Sequence, residues 1–448
     1  MTRRGLILVV IDGLTPSAFE GGVEARTLPT LAALAEHGTV GRAVSVFPSL
    51  TPVCLSSIAT GAYPDTHEIP HIVWWNRDER RIVEYGSSFG AVRAAGLTRS
   101  LRDTIVGMNA RHLGPRAVTM FEALADTGLV TAAVNFTAYR GRARHRSTLP
   151  GLGAVQGPEQ FFFYNLFQSR RTGAPLSFRS RAAGTIDGYA VAVGRWLVTR
   201  DAFDFLTYYL SDYDYASHTH GPDAAGDVLA RCDTAVGALA EAAGGLDELL
   251  ARYAIVVLAD HGQTHVGEVC ELREVFASVD GALVAASNRA AMVYALDRCL
   301  LDPRELAARL DGHPGVDVAL FREGDEAVAR KEGEELRFAP AGDGAFSTSG
   351  DAALLAHPDG LARAWGALGN PNAGDVLVSA VEGFEFADLG GRHHLGGGSH
   401  GSLVTGDSEV PILVTGAAAP PTRIVDVAPF VLSHFGVAPP AYALDRAA

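Results

Sequence analysis

Three short apolar runs, each closing on an acid, constrain this chain more than any other feature. LILVVID ends at Asp12, FDFLTYYLSDYD ends at Asp212 and Asp214, and YAIVVLADHG ends at Asp260 and His261. Continuous runs of this length suit strands buried on both faces, as in a parallel sheet covered by helices. Helical patterns lie between them. TLPTLAALAEHG is expected to end on Gly38 as a C′ glycine, and AVTMFEALADTG likewise on Gly128. The alternation predicts a three-layer α/β/α fold with a mostly parallel central sheet. Ligands of such sheets collect beyond the carboxyl ends of the strands, and the acids stand there.

The chain has 448 residues, 48% of them hydrophobic, enough for one large domain or two to three average ones. Residues 275–351 read differently from the rest. GVDVALFREGDEAVARKEGEELRFAPAGDG is charged and hairpin-like, and predicts a small inserted α+β subdomain or cap. Residues 1–274 and 352–448 then form the core. That core is expected to resume at GDVLVSA (374–380) and to end with VPILVTG and the helix-like IVDVAPFVLSHFG.

A formal net charge of −14 argues against binding a nucleic-acid polymer, because phosphate backbones attract Lys and Arg. A small anionic substrate is compatible with it, since a metal can supply local positive charge. The four cysteines, Cys54, Cys232, Cys270 and Cys299, include no C-x-x-C pair, which excludes a four-cysteine zinc site and a disulfide framework. The apolar run from Leu6 to Ile11 follows two arginines but is too short for a secretory segment. No run approaches the roughly 20 apolar residues of a membrane span. The expectation is a cytoplasmic protein with a small-molecule substrate and no membrane partner.

The polar residues at the strand ends are Asp12, Asp214, His218, Asp260 and His261, with His400 in the Gly-rich run LGGGSHGS. Each alone has an ordinary explanation: a turn residue, a helix-surface pair, a loop histidine. Together they make a different case. Crowded carboxylates repel one another unless cations intervene. Carboxylates and imidazoles suit zinc or a similar divalent ion. Six ligands exceed one tetrahedral zinc and suit two metals about 4 Å apart, an arrangement that clamps the attacking and leaving oxygens of phosphoryl transfer.

VFPSLTPVCLSS offers Ser49, Thr51, Cys54, Ser56 and Ser57 as nucleophiles. Thr51-Pro52 fits an N-cap followed by proline at the first helical position, with the helix running to Gly61. A hydroxyl there could attack phosphorus while helix N–H groups hold the phosphoryl oxygens. The local stretch fits a plain N-cap equally well.

The pieces VVIDG, FPSLTPVCLSSIATGAYPDTHEI, DYASHTHGP, ADHGQ and GGSHGS occur in one order from end to end of the core. In this the chain resembles the alkaline phosphatase superfamily, in particular its type I phosphodiesterase/nucleotide pyrophosphatase branch. The resemblance implies an alkaline phosphatase-like fold and a two-metal hydrolase with a covalent phospho-threonine intermediate. It puts Asp12, Thr51, Asp260 and His261 around one metal, with Thr51 as nucleophile, and Asp214, His218 and His400 around the other. Zinc is the expected ion, manganese the alternative. Two departures stand out. Cys54 occupies the place of an asparagine in the branch's TFPN, which that branch uses on a phosphoryl oxygen. The usual SDHGM is ADHGQ here.

The rivals each lack something. A sulfatase needs C/S-x-P-x-R, and Cys54 is followed by LSSI. A dinucleotide-binding dehydrogenase needs G-x-G-x-x-G after the first strand. A phosphomutase normally carries a longer insertion, and the complete ligand set argues against a non-catalytic metal-binding relative. A phosphomonoesterase or phosphonate hydrolase of the same superfamily is the alternative to a diesterase. For substrate contacts the candidates are Cys54, Trp75 and Asn76 of HIVWWN, and Arg140 and Arg142 of RGRARHR, the arginines as a clamp on a second anionic group. FFFYNLF (161–167) is read as core more than as pocket.

Overall fold

In the computed structural model the central sheet runs, in spatial order, Gly38–Val44, Glu409–Thr415, Tyr253–Leu258, Gly5–Ile11, Phe205–Leu210, Thr131–Val134, Gln160–Phe163 and Phe167–Gln168. The structure describes residues 5–169, 186–391 and 394–444. Arg3 and Arg4, ahead of the first strand, lie outside them. The block from Tyr253–Leu258 to Gln160–Phe163 is parallel, and the flanking strands pair antiparallel. Strands Tyr253–Leu258, Gly5–Ile11 and Phe205–Leu210 are buried along almost their whole length, because branched and aromatic side chains point to both faces. Helices cover those faces. Ile186–Thr199, Gly226–Ala243 and Pro29–Glu36 form one packed group, and Thr51–Thr60, Met120–Ala125 and Val427–His434 another.

Register then places the chemistry. Ile11 lies opposite Leu210, and Val10 opposite Leu258. The next residues of all three strands therefore leave the sheet at one edge, and Asp12, Asp214, Asp260 and His261 follow there.

One helix end differs from expectation. Helix Pro29–Glu36 stops with His37 as its cap, so Gly38 is the C′ residue, but it opens a strand instead of taking the left-handed conformation of a C′ glycine. A Cβ there would lie 2.3 Å from the Val414 carbonyl oxygen, so glycine is required by the close approach of the neighbouring strand. Gly128 does take a left-handed conformation, φ +82°, and its N–H bonds to Ala125 O.

A second, antiparallel sheet follows the order Ala282–Ser287, Ala290–Ala295, Val376–Ala380, Val316–Glu323, Glu326–Lys331, Glu334–Gly342 and Ala345–Gly350. Val376–Ala380, expected to resume the core, sits between two strands of this sheet instead. Its five residues are all buried, so hydropathy alone could not tell the two sheets apart. Among the described residues no helix is long and apolar enough to cross a membrane.

Candidate active site

The strand-end residues and the Gly-rich loop converge on one buried cluster. His261 Nε2 lies 3.3 Å from Asp12 Oδ1, 3.5 Å from Asp260 Oδ2 and 3.0 Å from Thr51 Oγ1. Asp214 faces His218 Nε2 at 3.3 Å and His400 Nε2 at 3.8 Å. Asp214 and His218 stand four apart on helix Asp212–His220, on one face. Ligand atoms of Asp12, Asp260 and His261 fall within 4.8 Å of one another, as do those of Asp214, His261 and His400. His261 thus joins both groups, while His218 reaches them through Asp214.

The hydrogen bonds fix the imidazole tautomers. His261 Nδ1 meets Gly262 O at 3.1 Å, His400 Nδ1 meets Ser49 O at 2.7 Å, and His218 Nδ1 meets Gly398 O at 2.8 Å. A carbonyl only accepts, so each Nδ1 carries the proton and each Nε2 turns toward the carboxylates. Asp12 Oδ1 and Asp260 Oδ2 are buried without a donor.

Charge in this space is unbalanced. Burial, followed by the charges of Asp214 and Asp260, pushes the Asp12 carboxyl well above the usual range. Burial also raises Asp260, against the pull of His261. Burial would raise Asp214 too, but His218, His400 and His261 overcome it and hold it low. Burial and the neighbouring His261 push His400 well below its usual value. Donor-less carboxylate oxygens of Asp12 and Asp260 beside imidazole Nε2 atoms are a set that divalent cations stabilise, so the residues present fit two such ions.

Thr51 departs from its expected role as a cap. Leu50 takes the cap position of helix Thr51–Thr60 and Thr51 is its first residue, half-buried, with its hydroxyl on His261 rather than on a helix N–H. The N–H groups of Val53 and Cys54 both bond to Leu50 O at 2.9 Å, and Pro52 has none. The first turn therefore offers fewer free N–H groups to an anion than the sequence suggested. The other four nucleophile candidates point elsewhere: Ser49 Oγ to Ser402 O, Cys54 Sγ to Ser45 Oγ, Ser56 Oγ to Pro52 O and Ser57 Oγ to His67.

Among the described residues, no hydrogen bond joins any of the five expected substrate contacts directly to the cluster's side chains, although Ser45 Oγ links Cys54 Sγ to Asp260 O. Cys54 is fully buried, as is the rest of its helix after Thr51. Arg140 donates to Glu122 at 3.2 Å, to Leu113 O and Gly114 O, and to Ala117 O. Arg142 pairs with Asp126 at 2.8–2.9 Å and with Glu122 at 2.9 Å. Both arginines hold their own loop to helix Met120–Ala125 and leave no clamp for an anion. Asn76 Oδ1 accepts from Glu79 N in a hairpin turn, and Trp75 packs on the core from the same hairpin. Phe161, Phe162, Phe163 and Phe167 are core.

Sequence reasoning missed the groups that hold the ligands. The Tyr209 hydroxyl donates to Asp12 Oδ2, and Gln263 Nε2 donates to Asp214 Oδ1. Gln263 was visible as the departure in ADHGQ; Tyr209 is hidden inside a strand run. Glu385 receives His394 Nδ1 at 2.5 Å, and the His394 ring stacks on His218 with centroids 4.0 Å apart. The Arg289–Asp407 pair, 2.6 Å apart and fully buried, ties the Ala282–Ala295 hairpin to the loop carrying His400. Asp407 also accepts from Ser402 and Thr264.

Glycine permits the crowding. A Cβ on Gly397 would lie 2.0 Å from His218 O, so that loop can pack on its helix only without one.

A family model for type I phosphodiesterases/nucleotide pyrophosphatases matches residues 6–403. Among curated protein sequences none matches this chain. In structure the chain is similar to phosphonoacetate hydrolase from Sinorhizobium meliloti 1021 in complex with phosphonoformate, with a TM-score of 0.66 and 21% identity over 96% of each chain. It is also similar to murine ectonucleotide pyrophosphatase/phosphodiesterase 5, with a TM-score of 0.64 and 13% identity over 98% of this chain and 96% of that one. An inactive threonine-to-alanine form of the murine protein, in complex with AMP, aligns equally well.

Proposed function

Because the chain belongs to the type I phosphodiesterase/nucleotide pyrophosphatase family, and is accordingly a metal-dependent phosphoester hydrolase of the alkaline phosphatase superfamily, we propose that it cleaves phosphodiester or nucleotide pyrophosphate bonds through a phospho-threonine on Thr51. The observation that carries this reading is the Thr51 hydroxyl at the edge of a buried set of Nε2 lone pairs and donor-less carboxylate oxygens. Asp12, Asp260, His261 and Thr51 would hold one divalent cation, and Asp214, His218 and His400 a second, zinc before manganese. Bound there, the cations supply Lewis acidity that favours the ionised hydroxyl and offsets charge on the phosphoryl oxygens.

The chain's own residues supply the rest. Thr51 Oγ1 forms the bond to phosphorus as the bond to the leaving oxygen breaks, and water then cleaves the Thr51–phosphoryl ester and restores the hydroxyl. Tyr209 and Gln263 keep Asp12 and Asp214 oriented through both steps. The murine neighbour made inactive by a threonine-to-alanine change supports the assignment of the nucleophile.

A diester suits this site better than a monoester. A monoester dianion benefits from extra cationic groups, and the two arginines proposed for that task are engaged with Glu122 and Asp126. In the same reading the second sheet is the inserted subdomain, with Val376–Ala380 added to it. None of the four cysteines forms a disulfide, which suits a reducing cytoplasm.

The test is the ratio of kcat/KM for bis-nitrophenyl phosphate to that for nitrophenyl phosphate, with phosphonoacetate as a third substrate, on protein loaded with zinc or manganese. A ratio above one supports the reading. A strong preference for the monoester or for phosphonoacetate overturns the diester assignment.

A further inference from the structure

We propose that Asn288, at the tip of the Ala282–Ala295 hairpin, donates its side-chain N–H to a phosphoryl oxygen of the bound substrate. The inference rests on the reading of the site as a phosphoester hydrolase and adds a donor to the one N–H, that of Thr51, which the first helical turn leaves unbonded among the described residues. Helix Thr51–Thr60 cannot supply it in full, since its Val53 and Cys54 N–H groups are bonded to Leu50 O and Pro52 has none. Cys54, at the position expected to carry an amide, is turned to Ser45.

Asn288 is placed for the task from an unrelated part of the chain. It is 6% exposed and touches His400, one of the cluster's imidazoles. Its Oδ1 accepts from Ser287 Oγ at 2.9 Å, which fixes the orientation of the amide, and its Nδ2 points at His400 Nε2 at 3.1 Å. His400 Nδ1 already donates to Ser49 O, so Nε2 is the lone pair that Nδ2 meets. In the functional reading that lone pair belongs to a cation. A cation on that lone pair would displace the Asn288 N–H from it, so the amide turns aside beside the cation, and a buried amide donor freed in this way needs a new acceptor. A phosphoryl oxygen held between the cations is the acceptor of matching charge.

The hairpin is built to hold Asn288 still. Asn288 adopts a left-handed φ of +55°, a conformation that asparagine tolerates better than most residues. The next residue, Arg289, receives fixed partners on every side: its N–H bonds to His400 O at 2.9 Å, and its guanidinium bonds to Asp407, Phe384 O and Val381 O. The second sheet thereby contributes to a site otherwise made by the first.

The experiment compares Asn288→Gly, which relieves the left-handed backbone while removing the amide, with Asn288→Asp, which keeps the size and replaces a donor by an acceptor. Three quantities are read on metal-loaded protein: metal content by elemental analysis, inorganic phosphate binding by calorimetry, and kcat/KM for bis-nitrophenyl phosphate. Loss of one preorganised donor of this kind costs roughly 100- to 1,000-fold in turnover. The expected result is that loss in both variants, phosphate binding weakened by about tenfold or more, and unchanged metal content. Metal content that falls with activity, and activity restored by excess zinc, would show that Asn288 serves only His400 and overturns the proposal. So would variants that bind phosphate and turn over ester as the wild type does. A wild type that binds phosphate through Asn288 but hydrolyses no ester would instead sink the functional reading and leave the donor assignment standing.

Discussion

Gly13, the residue after Asp12, is the point where backbone conformation, packing and chemistry meet, and Gly13→Ala tests all three. Its φ is +68°, and a Cβ there would lie 2.7 Å from Gln263 Nε2 and 2.8 Å from Asp214 Oδ1. Ordinary contact begins near 3.4 Å, so Gln263 must give by about 0.7 Å and Asp214 by about 0.6 Å. Both are held: they are hydrogen-bonded to each other, and Asp214 faces His218 and His400. A side chain in the left-handed region costs about 1–2 kcal/mol, and overpacking a filled site adds about 1–3 kcal/mol. Misplacing a positioned group by about 1 Å can cost roughly 100-fold in rate. Gly13→Ala should therefore lose about 2–5 kcal/mol in denaturant unfolding and between ten- and 100-fold in kcat on bis-nitrophenyl phosphate, with weaker retention of the metal held by Asp214. Gly21→Ala is the control. It lies inside helix Pro16–Glu24 with nothing within 4 Å of the added carbon, and should gain up to about 1 kcal/mol with activity unchanged. A Gly13→Ala protein with wild-type turnover and metal content would refute the claim that Asp214 is fixed by contact with this turn.

Prolonged chelation should abolish turnover and lower the thermal midpoint, and zinc or manganese should restore both; full turnover in protein shown by elemental analysis to be metal-free would sink the two-cation reading. Thr51→Ala should lower kcat by at least about four orders of magnitude, and its unfolding free energy should change by less than about 1 kcal/mol because the hydroxyl caps no helix N–H. Thr51→Ser should keep part of the activity, and near-normal turnover by Thr51→Ala would move the nucleophile elsewhere. Glu84 is buried with one carboxylate oxygen lacking a partner, and burial raises its pKa from 4.5 to about 7. The folded state then holds a proton that the unfolded state has released between those values, so the cost of ionised Glu84 grows as pH rises through that window. Glu84→Gln should match the wild type near pH 4 and exceed it by about 3 kcal/mol above pH 7 in denaturant unfolding; an equal shift at both pH values would refute this origin.

How much of the site was legible depended on how local each signal is. A run such as LILVVID carries its strand, its burial and its exit point in adjacent residues, so the parallel block and the position of Asp12 followed from sequence. The same holds for Asp214 and His218, whose spacing on a helix places them on one face, and for Asp260 with His261. Gly38 misled because a glycine after a helix has two physical causes, a left-handed cap or a close backbone, and only the partner strand at Val414 decides between them. Val376–Ala380 misled for a similar reason: a fully buried strand reads alike in either sheet. Arg140 and Arg142 looked like an anion clamp because their partners, Glu122 and Asp126, lie far enough upstream that no pattern connects them.

What sequence could not show is how the second sheet enters the chemistry. SNRA between two apolar runs reads as an ordinary hairpin turn, and nothing in those residues points to His400, more than a hundred positions away. The link is made by Asp407. Its carboxylate takes the Arg289 guanidinium on one oxygen and Ser402 on the other, and its carbonyl takes the N–H of Gly262. One buried acid thus fixes the hairpin tip, the His400 loop and the turn after His261 with respect to one another. A buried pair of this kind is costly to break, about 3–5 kcal/mol when one partner is removed, and it is positioned where a small shift of any of the three segments would separate Asn288 or a histidine from the cluster. The arrangement makes the second sheet part of the catalytic geometry, because the amide it carries and the imidazole it faces are held by the same side chain.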